Sequence, residues 1–205
     1  MATIIFDFDG TIANSFVYVT DFLASGKGLS LSDGQRAELH GMSMAAIARS
    51  LGYRWWRLPR LFLQGRNVMT KALHHVQPFA GMPELIMKLH AEGHELFVLS
   101  SNTVRNVHAF LHHYDLHKYF LEIYGGVGLF GKAPALRRLL KEQSIDKADA
   151  LYIGDELRDV EAAQSIHLRV IAVTWGFARP SDLVDHRPTH VVDTPDDLLH
   201  VLEEV

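Results

Sequence analysis

The stretch "TIIFDFDG", residues 3–10, decides how the rest of the chain is read. An apolar run that ends in two aspartates and a glycine lacks the strict alternation of a strand with one wet face. Continuous runs of this kind fit strands covered on both sides, and the closing Asp-Gly marks a turn. Similar runs recur at 94–102 ("HELFVLSSN"), 121–128 ("LEIYGGVG"), 149–156 ("DALYIGDE") and 168–176 ("LRVIAVTWG"), with a weaker one at 189–194 ("THVVDT"). Helical patterns lie between them: "MPELIMKLHAEG", "TVRNVHAFLHHYDL", "APALRRLLKEQS" and "DVEAAQSI". From about residue 80 onward strand and helix alternate, which predicts right-handed crossovers and a mostly parallel sheet. The expected fold class is α/β, with a three-layer α/β/α Rossmann-like core. In such sheets ligands bind beyond the carboxyl ends of the strands.

Residues 15–79 break that rhythm and contain no convincing strand. Ser32 reads as the cap of a helix running to His40, Ser43 as the cap of another ending before Gly52, and Pro59 as the first turn of a third reaching about His75. The expected organisation is a catalytic core of residues 1–14 and 80–205 with a small helical cap, 15–79, inserted after the first strand.

Bulk composition narrows the function classes. At 205 residues, 48% hydrophobic and 21% charged, the chain reads as a folded globular protein with room for a proper core. A formal net charge of −4 supplies no global pull toward nucleic acid or anionic membrane. The absence of cysteine excludes disulfides, thiolate metal sites and cysteine nucleophiles. "MATIIFDFDG" lacks the basic start and long apolar region of a signal peptide, and no apolar stretch is long enough to span a bilayer. The expectation is a cytoplasmic protein, monomer or homodimer, with neither nucleic acid nor membrane as partner.

The strand ends collect the chemistry. Asp7, Asp9, Gly10 and Thr11 follow the first strand; Ser100, Ser101 and Asn102 follow the second; Lys132 lies beyond the third; Gly154, Asp155, Glu156 and Asp159 close the fourth. Carboxylates gathered in one place repel unless a cation or proton intervenes, and an oxygen-rich set of this kind suits magnesium, which also accepts phosphate oxygens. A lone aspartate in a turn is ordinarily a cap or turn former. The combination on one rim is a phosphoryl-transfer kit.

"FDFDGT", "VLSSN", Lys132 and "GDELRD" resemble the four motifs of the haloacid dehalogenase-like hydrolase superfamily, nearest to its phosphoglycolate phosphatase-like branch with a helical cap. The likeness runs over nearly the whole chain. It implies a magnesium-dependent phosphatase acting on a small phosphorylated metabolite of the phosphoglycolate or sugar-phosphate kind. Asp7 would attack the phosphoryl group and carry it as an aspartyl-phosphate, and Asp9 would protonate the leaving oxygen and then activate water. Gly10, Thr11, Ser100, Ser101, Asn102 and Lys132 would bind the phosphoryl oxygens. Asp7, the Asp9 carbonyl and Asp155 would hold magnesium, with Asp159 in support. An acid at the position of Asp9 also implies an oxygen leaving group, since the dehalogenase and phosphonate-cleaving members lack it. The turn "HGMS" (His40, Gly41, Met42, Ser43) corresponds to a substrate-selecting loop of related caps. Two departures, Lys132-Ala133 with proline one place later where Lys-Pro is usual, and Asn14 where Asp is common, remove no catalytic group.

"GGVGLFGKAP", residues 125–134, imitates two nucleotide motifs. A triphosphate loop needs Ser or Thr after its lysine, and Ala133 stands there. Pro134, just past the lysine, argues further against glycines that lead straight into a helix. A dinucleotide fingerprint belongs to the first strand of its unit, with an acid roughly twenty residues on. The lysine is therefore assigned to substrate phosphate rather than to a nucleotide.

Other features carry less. His108 and His112 stand four apart, a spacing zinc sites can use, and are read as solvated or packing residues. Arg54, Arg57 and Arg60 around Trp55 and Trp56 read as a helix-packing cluster with snorkelling arginines, the alternative being a partner surface or a patch for an anionic substrate group. Three functional alternatives stay open at this level: a phosphomutase, a phospho-accepting signalling domain of the receiver type, and an idle scaffold.

Overall fold

The computed structural model describes residues 1–203 apart from 43, 59, 62, 63, 66–69, 71, 72, 129 and 130. The caps expected at Ser43 and Pro59, and Leu129 and Phe130 of the glycine-rich stretch, lie outside the described residues. Six strands form one sheet: β1 (Thr3–Phe6), β2 (Glu95–Leu99), β3 (Glu122–Tyr124), β4 (Ala150–Gly154), β5 (Arg169–Val173) and β6 (His190–Val192). Their order is β3-β2-β1-β4-β5-β6, and every pairing is parallel. β1 is central: Phe6 is level with Val98 of β2 on one side and with Ile153 of β4 on the other.

The unbroken apolar character of the strands follows from burial on both faces. Side chains alternate along a strand, so Ile4 and Phe6 enter one cluster and Ile5 enters the other. On the first face Ile4, Phe6, Val98 and Ile153 meet the helices α4 (Met82–Ala91) and α5 (Val104–His113), together with the C-terminal helix (Pro195–Glu203) through Leu198 and Leu202. On the second face Ile5, Phe97, Leu99 and Tyr152 meet α6 (Lys132–Glu142), α7 (Leu157–Gln164) and α8 (Pro180–Asp185). Full burial of side chains such as Phe6 and Phe97 contributes about 1.5–3 kcal/mol each. The C-terminal helix, α9, carries its two buried leucines four residues apart, on one face.

Between β1 and β2, ahead of α4, the described residues include the helices α1 (Phe16–Ser25), α2 (Asp33–Leu39) and α3 (Met44–Ser50). Ser32 caps α2 as expected, in a full capping box with Gln35. Residues 58, 60, 61, 64, 65 and 70 are also helical. Phe16, Val19, Leu23, Leu39, Ile47, Ala48 and Tyr53 form a third apolar cluster, joined by Phe177 from the loop after β5. Among the described residues no helix is long and apolar enough to cross a membrane.

Candidate active site

The parallel sheet aims every carboxyl end at one rim, and β2, β1 and β4 are neighbours there. Beyond Phe6 the Asp7 amide still donates to Ile153 O at 2.8 Å, so the last rung of the β1–β4 pairing fixes the Asp7 backbone. The chain then turns: Thr11, Ile12 and Ala13 N–H groups all converge on Phe8 O. Gly10 makes this possible with φ of +86°, a region that disfavours side chains. A Cβ there would also overlap the Asp155 carboxyl.

Asp7, Asp155 and Asp159 are buried, and one carboxylate oxygen from each lies within 4.8 Å of the others. Lys132 sits among them, 2% exposed, its Nζ donating to Asp7 Oδ2 at 2.5 Å and to Asp159 Oδ1. Asp159 is held from three sides, since Tyr152 Oη donates to its Oδ1 at 3.0 Å and the Glu156 amide to its Oδ2 at 3.0 Å. Asp155 accepts from Thr11 Oγ1 at 2.8 Å and from the Phe177 amide at 2.8 Å. The Thr11 hydroxyl is thus turned onto a carboxylate.

Burial dominates the electrostatics. It pushes Asp7 up to about 7, with Lys132 pulling down and Asp159 pushing further up. Burial likewise holds the Asp155 carboxyl well above its ordinary range, aided by Glu156, Asp7 and Asp159. For Lys132 burial works downward, but Asp159 and Asp7 outweigh it and the ammonium is strengthened. Tyr152 is raised well above its ordinary value by burial and by Asp159 and Asp7, so it remains a donor. A buried all-oxygen set whose charges are disfavoured is short of positive charge, and its hard donors fit magnesium.

The loop after β2 supplies the other wall. The Ser100 amide donates to Tyr124 O, and Ser100 Oγ accepts from the Asn102 amide at 2.9 Å. Asn102 Nδ2 donates to Asp9 Oδ2 at 3.0 Å, while Asn102 Oδ1 accepts from Thr103 N and Asn106 Nδ2. Asp9 Oδ1 is buried with no partner of hydrogen-bonding geometry among the described residues. Burial raises the Asp9 pKa against the pull of the Ser15 hydroxyl first, then of Asn102, Arg158 and Lys132. A carboxyl that is raised and has one oxygen uncommitted suits an acid that gives a proton up and takes it back.

The glycine-rich stretch has a packing explanation. Gly126 N donates to Asn102 O and Val127 N to Ser100 O, so the segment runs against the β2 loop. A Cβ on Gly125 would collide with the backbone of Thr103 and Val104. Contrary to the expectation from Pro134, α6 begins at Lys132 itself, with Gly131 as its N-cap, so the glycines do lead into a helix. Pro134 sits inside the first turn, where its missing N–H breaks no intrahelical bond. What sets Lys132 apart from a nucleotide-loop lysine is its burial between Asp7 and Asp159.

Several site residues were not visible in the sequence. Arg158, Tyr152 and Asn106 all bond to residues of the site, and the Trp175–Phe177 loop clasps it. Trp175 Nε1 donates to Thr11 O at 3.1 Å, and Ala178 N donates to Asp155 O at 3.2 Å. Gly176 is pressed against Asp155, so an added Cβ would overlap that carboxylate. Gly176→Ala is expected to displace the Asp155 carboxylate and cost about 1–3 kcal/mol of stability by overpacking, read as a lowered melting temperature.

Of the turn at His40–Ser43, Gly41 has φ of +81° and pairs with Ala178 in an isolated bridge. The His40 ring lies 4.9 Å from Phe16, which lies 5.5 Å from Phe177. Met42 is half-buried beside the same cluster, and Ser43 lies outside the described residues. His108 and His112 are exposed with ring centroids 4.4 Å apart. The three carboxylates above form the one group close enough to hold a metal among the described residues. The reading of Trp55 and Trp56 as a packing cluster is overturned: they are 73% and 50% exposed, with Arg54 stacked 4.0 Å from the Trp56 ring. Their short 3-10 turn contributes no buried residue.

Comparison with known proteins gives a concordant picture. A family model described as haloacid dehalogenase-like hydrolase matches residues 4–173. A phosphoglycolate phosphatase of Synechococcus elongatus is 34% identical over 100% of this chain and 99% of its own. A 5'-nucleotidase of Pseudomonas aeruginosa is 27% identical over 98% of this chain and 95% of its own. Among solved structures, a haloacid dehalogenase-like hydrolase from Streptococcus pneumoniae superposes with a TM-score of 0.80 at 19% identity, covering 98% of each chain.

Proposed function

Because the chain belongs to the haloacid dehalogenase-like hydrolases and is a phosphatase, we propose that it hydrolyses a small phosphate monoester, phosphoglycolate or a close analogue, with magnesium and through an aspartyl-phosphate on Asp7. The observation that carries this reading is the buried trio of Asp7, Asp155 and Asp159 with Lys132 bonded to two of its members. Family membership sets aside the receiver-domain reading, and the presence of every motif residue, Asp7, Asp9, Lys132 and Asp155 among them, argues against an idle scaffold. A phosphomutase would need an acid or base from the helices of residues 15–79, and no candidate stands out there among the described residues.

Asp7 is the nucleophile, fixed at its backbone by the β1–β4 rung and at its carboxylate by Lys132. Lys132 binds the phosphoryl oxygens and meets the charge that builds on them. Asp9, steadied by Asn102, gives a proton to the leaving oxygen and then takes one from the attacking water. When bound, magnesium would be held by Asp7, the Asp9 carbonyl and Asp155, with Asp159 in support, and would neutralise carboxylate and phosphoryl charge. Ser100, Ser101 and Asn102 shape the wall against which the phosphoryl group lies.

Residues 15–79 act as the cap over a catalytic core of 1–14 and 80–205, and the turn at His40, Gly41 and Met42 selects the substrate. The Gly41–Ala178 bridge supports this, since Ala178 adjoins Phe177, whose amide bonds to Asp155. The likeness to the phosphoglycolate phosphatase over the full chain favours a small carboxylated ester, while the 5'-nucleotidase makes nucleoside monophosphates the natural competitor. Phosphate release from a panel of phosphoglycolate, sugar phosphates and nucleoside monophosphates, with and without magnesium, tests the reading. Magnesium-dependent turnover of phosphoglycolate above the rest is expected, and release unaffected by magnesium removal would contradict it.

The raised pKa of Asp7 sets a pH dependence. Protonated Asp7 favours the metal-free fold, and that contribution is lost as pH rises through about 7. Below this value a proton must leave before the cation binds. Apparent magnesium affinity should therefore weaken by up to about tenfold per pH unit below that point and level off above it. Magnesium titrations about one unit on either side would reveal it, and equal affinity at both would contradict it.

A further inference from the structure

Five carboxylates, Asp7, Asp9, Asp155, Glu156 and Asp159, surround the reaction centre. Lys132 is committed to Asp7 and Asp159. A second cation, Arg158, rises from the first turn of α7 at the end of β4 and is three-quarters covered. Its Nε donates to Glu156 Oε2, and its Nη1 donates to Ser101 Oγ at 3.0 Å. Ser101 follows β2, and β1 lies between β2 and β4. Strands two places apart are separated by about 10 Å, so the Arg158–Ser101 bond crosses above the strand that delivers Asp7.

The bond has consequences on both sides of Ser101. Ser100 precedes it and Asn102 follows it, and Asn102 is the residue that holds Asp9. A planar fork anchored at Nε and directed through Nη1 fixes the distance and orientation of that loop. A lysine could supply the charge but could not engage Glu156 and Ser101 in the same plane. The Arg158 charge also works to lower the pKa of both Asp7 and Asp9.

We infer that Arg158 is a positioning residue for phosphoryl transfer: its fork, steadied by Glu156, pins the Ser100–Asn102 loop across β1 and so keeps Asp9 in register with Asp7. The inference rests on the phosphatase reading above. A role through Ser101 predicts shared rather than independent losses. Arg158→Gln should lower kcat for a small aryl phosphate by about 10–100-fold with little change in KM, and Ser101→Ala should lower it in the same sense. The double variant should be no worse than Arg158→Gln alone, and Arg158→Lys should not restore kcat. Additive losses, recovery in Arg158→Lys, or a loss confined to KM would overturn the inference.

Melting temperatures monitor folding. Should Arg158→Gln fail to fold, Ser101→Ala and Arg158→Lys still decide, because wild-type kcat in either contradicts the brace. A wild-type protein that releases no phosphate would sink the phosphatase reading and this inference with it. Wild-type turnover with unchanged kcat in Ser101→Ala and Arg158→Gln would sink this inference alone.

Discussion

Asp7→Asn is expected to keep the fold and lose turnover, with kcat falling by roughly 10⁴- to 10⁶-fold, the range seen when a nucleophilic site loses a member of its catalytic unit. An amide neither attacks phosphorus nor binds magnesium well. The fold should tolerate the change because burial already disfavours the ionised form of Asp7. The neutral amide fits the same space and can still accept from Lys132. Above neutral pH the metal-free variant should melt no lower than the metal-free wild type, while the stabilisation that magnesium gives the wild type should shrink. A variant that retained substantial activity would remove Asp7 from the role of nucleophile.

Lys132→Ala should cost about 2.7–4 kcal/mol of transition-state stabilisation, or 10²- to 10³-fold in kcat, by analogy with the loss of an oxyanion donor. It leaves Asp7 and Asp159 buried without the ammonium that bridges them. Breaking a buried ion pair on one side costs about 3–5 kcal/mol, so the variant should be least stable where both carboxylates must ionise. The remaining carboxyls should titrate higher, and the activity profile should move toward higher pH. A nucleotide-loop reading of "GGVGLFGK" predicts instead that the wild type binds ATP or NAD and the variant does not. Calorimetry with both nucleotides, beside phosphatase assays, separates the two. Lysine-dependent nucleotide binding with unchanged phosphatase activity would reverse the assignment of Lys132.

The strands were legible because each is buried on both faces and therefore reads as an unbroken apolar run. Three helices were not singled out: α1, which lies in the 15–79 stretch ahead of Ser32, together with α8 and α9. α8, "PSDLVD", buries a single residue, Leu183, too little for a periodic pattern. α9 opens with Pro195 followed by two acids and places Leu198 and Leu202 on one face, a pattern that could have been found. At the site, Asp7, Asp9, Lys132, Asp155 and Asp159 could be gathered from strand ends because a parallel sheet delivers its carboxyl ends together. The clasp on Asp155 could not. Phe177 and Gly176 reach it from the next strand loop, and no spacing in the sequence announces a backbone amide as a partner. Gly125 is similar, since its reason for being glycine lies in the backbone at Thr103 and Val104. Arg158 was within a quoted motif, but its bond to Ser101 depends on the sheet order that puts β1 between the two.

The central claim is that Asp7 carries the phosphoryl group between substrate and water. Rapid acid quenching during turnover, followed by peptide mass mapping, tests it directly. Phosphate should appear on the peptide containing Asp7, at the Asp7 carboxylate, only when substrate and magnesium are both present. Full turnover with no phosphate on Asp7 at any quench time, or phosphate on another residue, would contradict the account.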